Sequence, residues 1–356
     1  MKNLILAGGG HGHINILKRL IKSPLKDINI TLITDYGRQY YSGMLSGFVE
    51  GIYTEDEISF DVRELSKRAN VNYVEEKIIS IDKNKKVVTI ENDEYSYDFL
   101  SINLGSMANV NFPVDDNGVL NVKPISKLVE AKENFLKKGF KDESKKIYFI
   151  GGGASGVELA FSFREAFKNF DITIITSGEI LENFNEKSRN KVRKLLNKKN
   201  INLVEGSFVT EIKNHTIITE SVNYEFDYVF LTSGFKGVDV KYIDFDVDKR
   251  NYVTVDERLM VDESTFSMGD SANIYKYPNL PKAGVFAIRE APFLLENLMS
   301  ALKNSGDKKS YEPQLKYLQI LNCGGKKAIM NYGKFSFYGR LSWWLKDKID
   351  RKYMEI

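Results

Sequence analysis

A single cysteine, Cys323, stands in a chain of 356 residues. No internal disulfide, thiolate metal cluster or two-cysteine redox couple can form from it, and a reducing, intracellular compartment suits such a sequence. An excess of charge is also lacking. The formal net charge is +3 and the basic residues are scattered, so no nucleic-acid surface is marked, and small anions such as nucleotides are the more natural partners. Long apolar runs are missing too: none approaches the roughly 20 residues that a spanning helix needs. The apolar part of the opening MKNLILAGGG is short for a secretory leader and runs straight into glycines. These absences describe a cytoplasmic protein, soluble or resting on the face of a membrane, with no metal site. What is present, 42% hydrophobic and 28% charged residues, is the composition of an ordinary globular protein. The length exceeds what one hydrophobic core usually serves, so two domains are expected.

One unit occurs twice. Its first copy is an apolar strand at Asn3–Leu6, the turn Gly8-Gly9-Gly10-His11-Gly12-His13, a helix through Leu20 and a second strand at Ile30–Thr34. Its second copy is Ile147–Ile150, then Gly151-Gly152-Gly153-Ala154-Ser155-Gly156, a helix through Phe167 and a strand at Ile172–Thr176. A strand, a glycine turn, a helix and a strand form the setting that a dinucleotide fingerprint requires. Each copy is followed by β-branched runs separated by Asn, Asp and Lys, which read as meanders. The fold class expected is α/β, with two Rossmann-like dinucleotide-binding domains and a C-terminal segment.

The chemistry follows from the turns. Gly8 permits the tight bend and Gly10 lets the backbone approach a pyrophosphate, which then lies at the positive N-terminus of the next helix. His13 holds the third fingerprint position, where a small residue normally allows helix and strand to pack closely. His11 and His13 are first-turn candidates for cofactor contact, or simply loop and helix-start residues. Asp35, at the end of the second strand, is placed to accept from a ribose diol, or is a turn residue. In the second turn Gly151, Gly153 and Gly156 are all in register. Glu158 follows two residues on, either near a bound ring or as a first-turn carboxylate favoured by the helix dipole. Where an acid would hold the ribose of NAD, the sequence has Thr176-Ser177, so the choice between NADH and NADPH stays open.

With GGGHGH at Gly8–His13, YSGML at Tyr41–Leu45, INLGS at Ile102–Ser106, GGGASGVELA at Gly151–Ala160, LTSG at Leu231–Gly234, FSMGDSA at Phe266–Ala272 and PKAGVFAIRE at Pro281–Glu290, the sequence resembles the pyridine-nucleotide FAD oxidoreductases. Within them it is most similar to the type II NADH dehydrogenases, and in particular to the oxidoreductase domain fused to selenophosphate synthetase in some bifunctional proteins. The resemblance spans nearly the whole chain. It implies a non-covalent FAD, with NADH or NADPH as co-substrate. It also implies an FAD domain from residues 1–110 and 236–305, an NAD(P)H domain at 111–235 and a C-terminal segment at 306–356. Gly269-Asp270 would contact the ribityl and phosphate portion of FAD. Lys282, Ala283, Gly284 and Val285 would lie under the flavin pyrimidine ring, and Gly105-Ser106 and Gly234 on the crossovers between domains. Ser42 and Gly43 fall in the stretch where disulfide reductases carry two cysteines beside the flavin; Tyr40–Phe48 has none. Glu158 and Lys282 are the candidates nearest the reacting rings.

Hydride would pass from NAD(P)H to flavin and electrons onward to an acceptor, with quinone among the acceptors. A soluble acceptor in selenium metabolism and a nucleotide-responsive flavoprotein with little turnover are the alternatives. Type II dehydrogenases usually have glutamines near the quinone, where this chain has Ile288-Arg289-Glu290. In the tail, Leu341, Leu345, Ile349 and Tyr353 recur at helical spacing with Trp344 beside them. That face would either lie in a membrane interface or pack on its own domain or a second subunit of a homodimer.

Overall fold

The structure, a computed structural model, describes residues 1–314 and 316–355. The first glycine unit forms the strand Lys2–Ala7, helix α1 (His11–Lys22) and the strand Ile28–Thr34, with the two strands parallel from Lys2↔Ile28 to Ala7↔Ile33. Leu4 to Ala7 are all buried, as befits a central parallel strand covered on both faces. The sheet order is 265–267, 99–102, 2–7, 28–34, 72–75, parallel throughout. The second unit builds the same arrangement around α5 (Ala154–Ala166), in the order 119–121, 228–231, 146–150, 171–175, 201–204, again all parallel. Two such sheets are the two Rossmann-like units that the sequence pattern predicts.

The edge strands show how the units are joined. The second sheet takes its outer strand, Val119–Asn121, from just before its own glycine turn. The first sheet takes Thr265–Ser267 from after the whole second unit. The first sheet is therefore completed only when the chain has returned from the second. Each unit also carries an antiparallel meander, at 78–82, 87–90 and 94–96, and at 209–213, 216–219 and 223–225. Each meander has a parallel edge strand brought from a distant part of the chain, Lys241–Ile243 and Val114–Asp115. The two passages between units pair antiparallel, from Ser106↔Gly237 to Ala108↔Phe235.

The remaining helices are α2 (Ser42–Glu50), α3 (Val62–Arg68), α4 (Ile125–Lys137), α6 (Glu186–Lys198), α7 (Gly284–Leu302) and α8 (Arg340–Met354). Leu294 and Leu298 of α7 join Ile14 and Leu17 of α1 in the core of the first sheet. The second core is aromatic, with Phe149, Phe163, Phe167, Phe170 and Phe230 in mutual contact. It does not stop at the boundary of its unit: Met44 and Phe48 of α2 belong to it, as do Leu321 and Ile329 from the three-stranded sheet 319–322, 328–332, 335–339 and Cys323 just past its first strand. The shared core joins the two units.

Candidate functional site

Gly8 has φ +96°, a region that L side chains rarely adopt, and its amide donates to Ile33 O at 2.7 Å. The turn is braced by Asn103 of the INLGS segment. The Gly10 amide donates to Asn103 O (3.2 Å), the Gly12 amide to Asn103 Oδ1 (2.9 Å), and Asn103 Nδ2 donates to Met268 O (3.2 Å). Asn103 thus ties the first turn to the strand that returns from the second unit. Asn103 lies in the same motif as Gly105 and Ser106, but nothing in the sequence pattern marks it, because its partners at Gly10, Gly12 and Met268 are distant in the chain.

At the third fingerprint position the two turns differ. A Cβ on Gly156 would collide with Gly151 O. His13 instead lays its ring along the matching carbonyl, with Nδ1 2.5 Å from Gly8 O and Nε2 2.8 Å from Ser101 Oγ. Close packing survives because the larger side chain supplies its own hydrogen bonds. Burial lowers the His13 imidazole to about 4 although the Gly8 carbonyl pulls the other way. His13 therefore lies behind the turn, facing the sheet, unlike the other first-turn residues expected at a cofactor.

His11 opens α1 and is packed edge-on against Tyr41 and Tyr353, whose hydroxyl lies 2.8 Å from His11 Nδ1. Its imidazole is also lowered to about 4, by burial first, with Asp270 opposing and Lys123 and Lys18 assisting. Asp35 stands exposed just past the strand Ile28–Thr34. Ser42 begins α2, and its Oγ is 3.4 Å from where a Cβ on Gly284 would stand, so the YSGML segment meets the start of α7. Gly43 leaves no room for a side chain beside the Tyr41 ring, and its carbonyl accepts from Lys346 Nζ.

Asp270 gathers polar groups from both units. Lys123 Nζ reaches it at 2.5 Å and Ser106 Oγ at 2.8 Å, while the Gly105 amide donates to Ser271 Oγ at 2.9 Å. Lys123 was not singled out from the sequence, where it sits in an unremarkable Asn-Val-Lys-Pro. Gly269 adopts φ +63° and donates to Glu290 Oε2 at 2.6 Å. Glu290 is thus turned inward to fix the Gly-Asp turn, and its neighbour Arg289 bonds Gln314 at 2.5 Å. Lys282 donates to Ala272 O and lies 4.7 Å over the Tyr252 ring, its ammonium lowered by burial against the pull of Asp270 and Glu290.

Glu158 falls in a different cluster. Its Oε1 accepts from the Asn322 amide at 2.6 Å, and burial pushes its carboxyl up to about 7 against the attraction of Lys346. Asn322 Nδ2 donates to Glu50 Oε1 at 2.5 Å. Lys346 pairs with Asp350 at 2.6 Å, and Asp350 accepts from Tyr41 OH at 3.0 Å. The two catalytic candidates, Lys282 and Glu158, fall in separate hydrogen-bond networks.

The second turn has Gly151 at φ +127° and open space where a Cβ on Gly153 would stand. Gly234, φ +69°, could not carry a side chain, because its Cβ would strike Asn109 O in the facing crossover. Ser177 is exposed past the strand Asp171–Ile175. Asp61 and Asn185 cap α3 and α6 with their side chains. The helices behind the two glycine turns, and α7 behind Ala283, have no side chain on that end. Apart from the Gly12 amide, which Asn103 takes, first-turn amides there have no side-chain cap, so the residues present fit phosphate groups at two turns and an electron-rich ring edge at Gly284 and Val285.

The tail departs from the expected single face. Tyr353 turns inward onto Tyr41, with ring centroids 4.4 Å apart, while Leu341, Trp344 and Ile349 stay in solvent.

Two dinucleotide units joined by paired crossovers, with a charged turn between them, define a flavin- and nicotinamide-dependent oxidoreductase. The family model for pyridine nucleotide-disulphide oxidoreductases matches residues 2–291, and the chain belongs to that family. It is 27% identical to the NADH dehydrogenase-like protein YutJ of Bacillus subtilis, over 92% of this chain and 91% of that one. It is 22% identical to a type II NADH:quinone oxidoreductase of Haemophilus influenzae, over 96% and 87%. The sulfide:quinone oxidoreductase of Aquifex aeolicus shares the fold, with a TM-score of 0.81 at 19% identity, over 99% of this chain and 90% of that one. The protein is an FAD-dependent NAD(P)H oxidoreductase, and with one buried cysteine it works without a redox-active disulfide.

Proposed function

We propose that the protein passes electrons from NAD(P)H through FAD to a quinone at a membrane surface. The observation that carries this reading is the two-sided tail. The inner side of α8 bonds to the residues around the first turn, through Tyr353 to His11, Asp350 to Tyr41 and Asp347 to Tyr53. Its outer side, with the preceding hairpin, exposes Tyr332, Phe335, Phe337, Leu341, Trp344 and Ile349, flanked by Lys334, Arg340, Lys348 and Lys352. Apolar side chains ringed by cations suit the headgroup boundary of an anionic bilayer. A lipid-soluble acceptor would meet the protein on the side nearest Tyr41. No described helix is long and apolar enough to cross a membrane, so contact would be peripheral.

FAD supplies the chemistry, taking a hydride from the nicotinamide and releasing electrons to the acceptor. The chain binds and orients. Gly8, Gly10 and the start of α1 would hold the pyrophosphate, Asp35 the adenosine ribose, and Asp270 the ribityl hydroxyls. The first amides of α7 at Gly284 and Val285, with Lys282 beside them, would favour negative charge on the ring. Gly151, Gly153 and Gly156 would seat the second nucleotide, with Ser177 at its ribose. Glu158, its carboxyl pushed up to about 7 by burial, would hold a proton on the oxygen that the Asn322 amide leaves free and release it when an acceptor is reduced.

The test is NADH and NADPH oxidation by the flavin-loaded protein with a short-chain quinone, with oxygen and without acceptor, in the presence and absence of anionic vesicles. Quinone-dependent turnover stimulated by vesicles is expected. Turnover with a soluble acceptor alone would favour the alternative raised by the likeness to selenophosphate-synthetase-fused domains. Flavin reduction without any acceptor turnover would favour a responsive flavoprotein.

A further inference from the structure

The second glycine turn, taken as the site of the nicotinamide nucleotide, has no charged residue at its ribose position, yet charges crowd the loop just beyond. After the strand Asp171–Ile175 come Thr176, buried, and Ser177, exposed. Glu179 follows, and then Ile180, whose amide donates to Glu205 Oε1 at 2.7 Å. Two arginines from α6 reach this loop. Arg193 grips Glu205 with Nε at 3.0 Å and Nη2 at 2.8 Å, and also lies 3.7 Å from Glu179. Arg189 pairs with Glu179. Glu182 stands against Gly178, where a Cβ would strike its carboxylate.

We infer that Glu179 makes this site select NADH over NADPH, by neutralising the arginines that would otherwise receive a 2′-phosphate. The exposures set the direction. The Arg189 and Arg193 side chains are 21% and 28% exposed and that of Glu205 is 27%, whereas that of Glu179 is 58% exposed. The cluster therefore shows solvent a carboxylate, with its guanidinium groups drawn in behind. A ribose diol brings no charge, and its hydroxyls can meet Ser177 Oγ without any arginine leaving its carboxylate. A 2′-phosphate brings nearly two negative charges. It would face Glu179 and Glu182 and would gain an arginine only by breaking an existing ion pair. An arginine engaged by a carboxylate in two-point contact has few donors left for a phosphate. The selector thus lies two residues past the place where such folds usually carry their acid, which is why Thr176-Ser177 alone gave no preference.

This inference rests on the reading of the second turn as the nicotinamide nucleotide site, and calorimetric binding separates the two. ADP-ribose and 2′-phospho-ADP-ribose are titrated into flavin-loaded wild type, E179Q and E179Q/R189Q, and flavin reduction by NADH and NADPH is followed in the same proteins. Wild type is expected to bind ADP-ribose about tenfold more tightly than its 2′-phosphorylated form, the scale of one charge interaction in a partly exposed site. E179Q should erase most of that ratio by tightening the phosphorylated ligand, with ADP-ribose changed less than threefold. R189Q added to it should remove the gain. Glu179 is exposed, so E179Q is expected to fold, and its melting temperature checks this. Equal or tighter binding of the phosphorylated ligand by wild type, or an unchanged ratio in E179Q, overturns the inference. Absence of binding by either ligand overturns it together with the assignment of the second turn. Discrimination in binding without any flavin reduction supports the inference and refutes only the proposed electron transfer.

Discussion

Lys123 and Asp270 form a 2.5 Å ion pair between chain segments that belong to different nucleotide units. Lys123 follows the outer strand of the second sheet and Asp270 follows the outer strand of the first. The ammonium also donates to Ser106 at 2.8 Å and lies 4.5 Å from the ring centre of Phe235, one residue from each of the paired crossovers. One side chain thus gathers both passages between the units at the carboxylate proposed to hold the flavin. Burial acts to raise the Asp270 carboxyl, but Lys123 and Ser106 outweigh it and leave the group below the usual carboxylate range.

K123Q should therefore leave Asp270 without its partner. The expected cost is about 2 kcal/mol, less than the 3–5 kcal/mol of a fully enclosed pair because water reaches part of both side chains. Flavin remaining after gel filtration should fall in K123Q and recover substantially in K123R, while the melting temperature drops by a few degrees. Full flavin retention in K123Q would show that the pair serves only the domain junction.

Glu158 gives the protein a pH dependence of unusual sign for a carboxylate. Burial raises its carboxyl to about 7, above the usual 4.5 of a glutamate, so the folded state binds the proton more tightly. The stabilisation is complete below about pH 4.5 and is lost as pH rises through 7, with a total of at most about 3 kcal/mol. His11 and His13, lowered to about 4, work the other way, losing stability as pH falls below 6.5. The difference in unfolding free energy between wild type and E158Q should accordingly shrink from pH 5 to pH 8. A constant difference would mean that Glu158 is ionised throughout.

Both glycine turns were readable because they impose backbone demands on consecutive residues, which no distant partner can supply. Lys123 was not, since its meaning depends on Asp270, 147 residues away. The third fingerprint position misled for a related reason: His13 satisfies the packing rule through Gly8 O and Ser101 Oγ, a solution that pattern spacing does not encode. The tail was half legible. Each step of four residues turns a helix about 40° past a full revolution, so Leu341 and Tyr353, three steps apart, end about 120° apart on different faces although each neighbouring pair shares one. Tyr353 went to the core and Leu341 to solvent.

Cys323 is fully buried, donates to Leu321 O at 3.5 Å, and has its thiol pushed up by burial, with Glu158 adding to the shift. A thiolate is unavailable there at neutral pH. C323A should leave single-turnover reduction of the flavin by NADH within twofold of wild type, at a stability cost of about 1 kcal/mol for the small cavity. A loss of tenfold or more in the reduction rate would place sulfur in the electron path.

The two sides of α8 should separate under mutation. On the outer side, replacing Phe335, Leu341 and Trp344 with serine removes side chains that are 80%, 64% and 53% exposed, so the fold loses little. Melting temperature and flavin content should stay near wild type. Each of these side chains contributes roughly 1.5–3 kcal/mol when fully transferred out of water, so losing three should weaken sedimentation with anionic vesicles at least tenfold. On the inner side, removing residues 340–356 strips Tyr353 from His11 and Tyr41, Asp350 from Tyr41 and Asp347 from Tyr53, and takes away two carbonyls that accept from Lys18. The truncated protein should melt lower and lose flavin, because the aromatic wall over the start of α1 is gone. If the serine variant also loses flavin and stability, the outer face is a packing surface, and a homodimer becomes its better explanation. If wild type does not sediment with vesicles at all, the membrane-surface reading fails whatever the variants do.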